Sequence, residues 1–215
     1  MDTNKIDHIS ASQIHTWLYC QRSYHFKYNL KLPQASSCFM SRGKVFHERI
    51  AKALQEKKEP KLPKRWLANY KAIAERLNFS DDLLIEEKVE TKIDGYNVLG
   101  YIDVIDYKRA LIVDWKFGRK ISKYNVQGYL YKRLVKEIYN IDCDVAFCFI
   151  PSLSINPMYP ADYADGESIF NSFIKKPQDS NFKFYPSSRK CQMCGYYMYC
   201  MNPEVISALE GPKDI

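Results

Sequence analysis

Two aspartates and a lysine form the stretch best suited to chemistry: Gly100-Tyr-Ile-Asp103-Val-Ile-Asp106, then Val113-Asp114-Trp115-Lys116. The pattern reads as two short strands joined by a turn at Lys108-Arg109, with Tyr107 pairing to Ala110. In that register Asp103 stands directly opposite Asp114, and directly opposed Cβ atoms are roughly 4.5–5.5 Å apart. Lys116 shares the face of Asp114 because strand side chains alternate. Opposed carboxylates repel unless a cation lies between them, so the arrangement points to a divalent metal site. Hard cations favour oxygen ligands, and the Trp115 carbonyl is a further oxygen close by. A surface hairpin with an ordinary Asp–Lys ion pair is the other reading of the same residues.

A metal held by acids supplies what phosphodiester hydrolysis needs: a Lewis acid and an activated water. Lys116 would orient that water and stabilise developing negative charge. Two further segments bear on this. Gly43-Lys-Val-Phe-His47-Glu48 sets a histidine within a helix expected over about 41–55. Gln127-Gly-Tyr129-Leu-Tyr131 sets Gln127 and Tyr131 four residues apart, on one face of a helix expected over 121–139.

Taken in chain order, His, Asp, Asp-x-Lys and Gln-x-x-x-Tyr resemble the RecB-like branch of the PD-(D/E)XK nuclease superfamily. The resemblance spans roughly residues 43 to 131. It implies a restriction-endonuclease-like α/β core, a mixed central sheet flanked by helices. His47, Asp103 and Asp114 would bind Mg²⁺ or Mn²⁺, Lys116 would serve the water, and Gln127 and Tyr131 would line the site and contact phosphate. In the acidic run Glu86-Glu87-Lys88-Val89-Glu90, where some relatives supply another acid, Glu87 is the expected contributor; a solvated charged face is the plainer account.

Seven cysteines without an export signal argue against a disulfide framework. Cys143 and Cys148 lie in an apolar run and read as core residues, and Cys38 carries no signal. Cys191-x2-Cys194-x5-Cys200 is a metal or cluster spacing one ligand short of four. The resemblance supplies Cys20 as the fourth, as in iron–sulfur RecB-like nucleases, which include CRISPR-associated exonucleases and the AddB subunit. It implies a [4Fe-4S] cluster joining residues 10–30 with 186–204, and zinc is the competing occupant. Gln21 stands where proline often follows that cysteine.

The elements that must position these groups are legible in outline. Ser10-Ala-Ser-Gln13 is a capping box opening a helix through Ile14, Trp17 and Leu18. Trp66, Tyr70, Ile73, Ala74 and Leu77 fall on one helical face. Strands are expected from Leu83 to Lys92 and Val145 to Ile150, with the hairpin between them from Asn97 to Phe117, and a helix from Gly166 to Lys175. One domain over residues 1–215 accommodates all of this. No apolar run nears the ~20 residues of a membrane span, and the N-terminus is unlike a signal peptide, so a cytoplasmic protein is expected.

The net charge of +7, with 17 tyrosines and 11 phenylalanines, suits a nucleic-acid partner. Arg22, Tyr24, Lys27, Arg189, Lys190, Tyr196 and Tyr197 are candidates to guide a single strand, and the tyrosines near the cysteines have core packing as their alternative. The resulting expectation is a metal-dependent DNA exonuclease acting on single strands or on duplex ends and flaps. Its setting would be CRISPR adaptation, recombination or replication, with an integrase or helicase partner. The contrasting expectation is a non-catalytic nucleic-acid-binding module built on the cysteine site.

Overall fold

The computed structural model describes residues 7–34, 38–118, 124–175, 191–192, 194–202 and 204. Five strands, β1 (Leu83–Ile93), β2 (Tyr96–Asp106), β3 (Leu111–Lys116), β4 (Asp144–Phe149) and β5 (Ser154–Pro157), form one mixed sheet in that spatial order. The pairs β1–β2, β2–β3 and β4–β5 are antiparallel, and β3–β4 is parallel. A parallel pair needs a long crossover, which the helix α5 (Tyr124–Tyr139) provides. The β1–β2 turn is Asp94-Gly95, both with positive φ, the chemistry that a two-residue hairpin demands.

Helices cover both faces. On one side α5 packs on the sheet with α1 (Ala11–Tyr19) and α6 (Pro160–Ile174), around Val126, Leu130, Leu134, Ile102 and Phe170. On the other side lie α3 (Cys38–Glu56) and α4 (Lys64–Leu77), packed through Phe46, Ile50, Tyr70 and Ile73 onto Val104, Val113 and Trp115. The expected α/β layering is thus present. Helix α6 begins at Pro160 rather than near Gly166, and β5 has no counterpart in the sequence reading because a four-residue strand offers too short a period. Helix α1 is capped by the Ser10 side chain, which accepts from Gln13 N–H.

Helix α1 leads through Cys20 into α2 (Gln21–Tyr24) and then a π-helical turn over His25–Asn29. Phe26, fully buried on that turn, packs with Tyr196 and Tyr199 beside the helix α7 (Tyr197–Met201). The two ends of the described chain therefore meet. No helix among the described residues is long and apolar enough to cross a membrane.

Two glycines allow neighbouring elements to approach closely. A Cβ at Gly100 would come within 2.8 Å of Leu134 and 3.3 Å of the Tyr131 ring, so glycine lets α5 close on β2. At Gly166 a Cβ would overlap the Asn125 carbonyl oxygen, which as backbone cannot move aside. Gly166→Ala should therefore lower the unfolding free energy by about 1–3 kcal/mol. Gly43→Ala, in open space within α3, should raise it by about 0.5–1 kcal/mol. Urea unfolding midpoints of the two variants check both signs.

Candidate active site

The β2–β3 register is the expected one: Val104 pairs with Val113, Ile105 with Ile112 and Asp106 with Leu111. The ladder stops there, one step before Asp103 and Asp114. Beyond the stop, β3 stays paired to β4 through Lys116, and β2 gains a short parallel bridge from Ile9 at Val98. Between these pairings the sheet opens, and the acidic residues occupy the opening.

Two strands change face at the same level. Ile102 and Ile105 both pack beneath α5 while Val104 packs beneath α3 and α4, so alternation slips by one residue at Asp103. Across from it, Leu84 and Val89 share the α5 side, Leu83 lies on the other, and Glu86 has φ of 55°. Glu86 and Asp103 drop out of an otherwise continuous β1–β2 register. Such local breaks re-aim side chains beside functional sites. Here they turn both carboxylates toward α3.

Helix α3 buries Phe46 and Ile50 on the sheet, which leaves His47 half-buried on its flank. His47 Nδ1 lies 3.1 Å from Asp103 Oδ2, and that same oxygen accepts from Trp115 N–H at 2.7 Å. Burial alone would lower the His47 pKa; the hydrogen bond to Asp103 and the charges of Asp103 and Asp114 outweigh it and raise it. One donor atom from each of His47, Glu86 and Asp103 lies within 4.8 Å of the other two. An imidazole with two carboxylates suits Mg²⁺ or Mn²⁺. Burial, then the Asp103 charge, raises the pKa of Glu86, with His47 pulling the other way.

Asp114 faces this group from β3 and is buried. Gln127 Nε2 donates to its Oδ1 at 2.8 Å, and Lys116 Nζ stands 2.7 Å from Oδ2 as an ion pair without hydrogen-bond alignment. Burial pushes the Asp114 pKa up to about 6 against the pull of Lys116, and the Asp103 charge adds to the rise. Lys116 Nζ donates to Gln127 Oε1 at 2.9 Å and lies over the Tyr124 ring at 4.6 Å. Gln127 Nε2 also donates to the Tyr131 hydroxyl at 2.7 Å, which in turn donates to the Tyr101 carbonyl at 2.5 Å. A relay from α5 thus ties β3 to β2 across the gap in the sheet.

The structure brings together His47, Asp103, Asp114, Lys116, Gln127 and Tyr131. It adds Glu86, which the sequence reading passed over for Glu87. Glu87 instead accepts a hydrogen bond from Tyr139 on α5 at 2.8 Å. The left-handed residue at Glu86 reverses which acid faces the site, and only a break in apolar alternation hinted at it.

The cysteines gather separately. Cys20 ends α1 and opens α2. Burial first, then the charges of Cys194, Cys191 and Cys20, raises the Tyr19 pKa. Burial also raises the Cys200 thiol, Arg22 opposes it, and Cys194, Cys20 and Cys191 add to it. Among the described residues no three of these sulfurs lie within 4.8 Å of one another.

Cys143 and Cys148 are buried, and burial pushes their thiols up to about 11 and about 12, as for inert core cysteines. Two of the proposed strand-guiding aromatics must be withdrawn. Tyr24 and Tyr196 are both 2% exposed and pack in the interior, Tyr24 against Phe173 and Tyr196 against Phe26. Tyr197 is 40% exposed, and Arg22 and Lys27 are half-buried on the N-terminal segment. Arg189 and Lys190 lie outside the described residues, as do 186–188 of the expected cluster-binding portion.

Residues 8–201 match the family model described as the PD-(D/E)XK nuclease superfamily. Among solved structures, a candidate exonuclease from Eubacterium rectale superposes with a TM-score of 0.55 at 12% identity, covering 79% of each chain. The protein SSO0001 superposes with a TM-score of 0.50 at 15% identity, covering 92% of this chain and 87% of the other. At such identities the likeness shows a shared fold. No curated protein matches the chain in sequence.

A buried aspartate whose pKa is raised above its unfolded value favours the fold fully below about pH 4, and that contribution is lost as pH rises through about 6. The ionised Asp114 therefore costs up to about 3 kcal/mol at pH 8 in metal-free protein. Asp114→Asn should shift stability relative to the parent more favourably at pH 8 than at pH 4. Thermal melts in chelator at the two pH values measure this difference.

Proposed function

The chain belongs to the PD-(D/E)XK nuclease superfamily, and from that premise we propose that it is a metal-dependent deoxyribonuclease. Its substrates would be single-stranded DNA or duplex ends and flaps, cut exonucleolytically. The observation that carries this reading is the convergence of His47, Glu86, Asp103, Asp114 and Lys116 where the sheet opens between β2 and β3.

In this account His47, Asp103 and Asp114 hold Mg²⁺ or Mn²⁺, with Glu86 as an added carboxylate. The bound ion supplies Lewis acidity toward the phosphate and lowers the pKa of water. Each protein group has a distinct task. Asp103, fixed by Trp115 N–H and His47, presents a carboxylate that cannot swing away. Lys116, held between Asp114 and Gln127, is placed to position the attacking water and to neutralise charge on the phosphate. Gln127 is anchored through Tyr131 to the backbone of β2, so the lysine and the acids keep a common frame. Of the expected strand-guiding residues, Tyr197 is exposed, and Arg22 and Lys27 remain half-buried candidates to lead a strand inward.

We further propose that Cys20, Cys191, Cys194 and Cys200 bind a [4Fe-4S] cluster with a structural role. Their approach from distant parts of the chain supports it. The whole of residues 1–215 would then act as one nuclease domain. The cellular setting would be end trimming in CRISPR adaptation, recombination or replication, in the cytoplasm and beside an integrase or helicase.

Purified under oxygen-free, reducing conditions, the protein should degrade end-labelled single-stranded, frayed or flapped DNA when Mg²⁺ or Mn²⁺ is added. Asp114→Ala and Lys116→Ala should each lower the rate at least about a hundredfold. An inert parent overturns the nuclease reading, and full activity in Asp114→Ala overturns this site. For the cysteines, the preparation should be brown, absorb broadly near ~400 nm and carry about four irons. Cys20→Ser should lose the iron and melt at lower temperature, whereas stoichiometric zinc without iron would contradict the cluster.

A further inference from the structure

Lys116 has one close charged partner, and that partner has a second use. Asp114 Oδ2 lies 2.7 Å from Lys116 Nζ, and Asp114 is also an expected ligand of the divalent ion. A cation at that carboxylate would take up its charge and repel the neighbouring ammonium. Keeping Lys116 in place then falls to groups that carry no charge. Gln127 is one of them, accepting from Nζ through Oε1 at 2.9 Å.

The other is aromatic. Lys116 Nζ lies 4.6 Å from the centre of the Tyr124 ring and 5.5 Å from that of Phe147. Both distances fall within the ~6 Å reach of a cation–π contact. The Tyr124 and Phe147 rings stack at 5.4 Å and 28°, and Phe149 meets Tyr124 at 5.9 Å. Phe147 and Phe149 pair with Asp114 and Lys116 across the parallel β3–β4 register, and both are buried. The Tyr124 ring is therefore backed by core side chains on the strand next to the lysine's own.

Tyr124 opens α5, three residues ahead of Gln127 and seven ahead of Tyr131, a spacing that sets all three on one helix face. One face of one helix thus supplies two neutral anchors for Lys116. Burial raises the Tyr124 pKa, Lys116 opposes the rise and Asp114 adds to it. The phenol accordingly stays protonated and presents an uncharged ring.

We propose that Tyr124, backed by Phe147, is a positioning residue for Lys116, its ring holding the ammonium in the opened sheet when Asp114 gives its charge to a metal ion. The proposal rests on the nuclease reading above and deepens it. The ring face does the holding, so phenylalanine should replace tyrosine, and leucine, apolar but without a π face, should not.

The test uses the full-length protein with ¹³C-labelled lysine, the Lys116 signal being the one missing from Lys116→Arg. Protons above an aromatic face resonate upfield. The Lys116 ε-methylene protons should lie upfield of exposed lysines in the parent and in Tyr124→Phe, and remain there when Mg²⁺ is added. In Tyr124→Leu they should move back toward the exposed lysines. Cleavage of end-labelled single strands with Mn²⁺ is read separately. Tyr124→Leu should lower kcat about tenfold with KM little changed, and Tyr124→Phe should stay within about twofold of the parent. A parent signal that joins the exposed lysines on adding Mg²⁺, or an upfield signal kept in Tyr124→Leu, overturns the proposal. So does an equal loss of kcat in Tyr124→Phe and Tyr124→Leu, which would assign the role to the hydroxyl. The parent signal decides the matter even where Tyr124→Leu does not fold. Cleavage by a parent whose Lys116 signal is not upfield overturns the positioning role alone. A ring-held Lys116 in a parent that cuts no DNA supports the contact and overturns the nuclease reading.

Discussion

Everything in the candidate site depends on opening a sheet between two strands without leaving its polar groups unpaired. A buried main-chain donor or acceptor without a partner costs about as much as a lost hydrogen bond. The chain meets that constraint with side chains. Asp103 takes the Trp115 N–H, and Tyr131 donates to the Tyr101 carbonyl. Gly100 allows α5 to come close enough for the second of these. The substitutes for the ladder are therefore themselves residues of the site or its supports, and the gap they keep open is where Asp103, Asp114 and Lys116 converge.

The same opening explains the electrostatics. Asp114 is buried, ionises reluctantly, and is held by Lys116 and Gln127. His47 is pulled toward its charged form by Asp103 and Asp114. Acids and bases are pressed together in a poorly solvated place, an arrangement that favours the fold less than apolar packing would. Such groups concentrate where chemistry is done.

Much of this was legible in residue types and order. The pairing of Ile105 with Ile112 followed from the hairpin pattern, α4 followed from helical periodicity in Tyr70/Ile73/Leu77, and helices were expected over about 41–55 and 121–139, where α3 and α5 lie. Glu86 was not legible, because its left-handed backbone breaks the period-two rule by which a strand is read. Tyr24 and Tyr196 looked like nucleic-acid contacts because composition does not reveal burial; tertiary packing against Phe173 and Phe26 decided that. The meeting of Cys20 with the C-terminal cysteines came from resemblance rather than local pattern. A clip closing about 170 residues restricts the unfolded chain strongly in principle, although measured gains are often smaller.

The central claim is that the opened strands form a divalent-cation site in which Asp103 and Asp114 act together. Electron paramagnetic resonance of Mn²⁺ titrated into the protein at pH 8 tests it most directly, since the free-ion signal disappears on binding. The account predicts saturable loss of that signal in the parent and its return in both Asp103→Asn and Asp114→Asn. Undiminished Mn²⁺ binding in the two variants would contradict it.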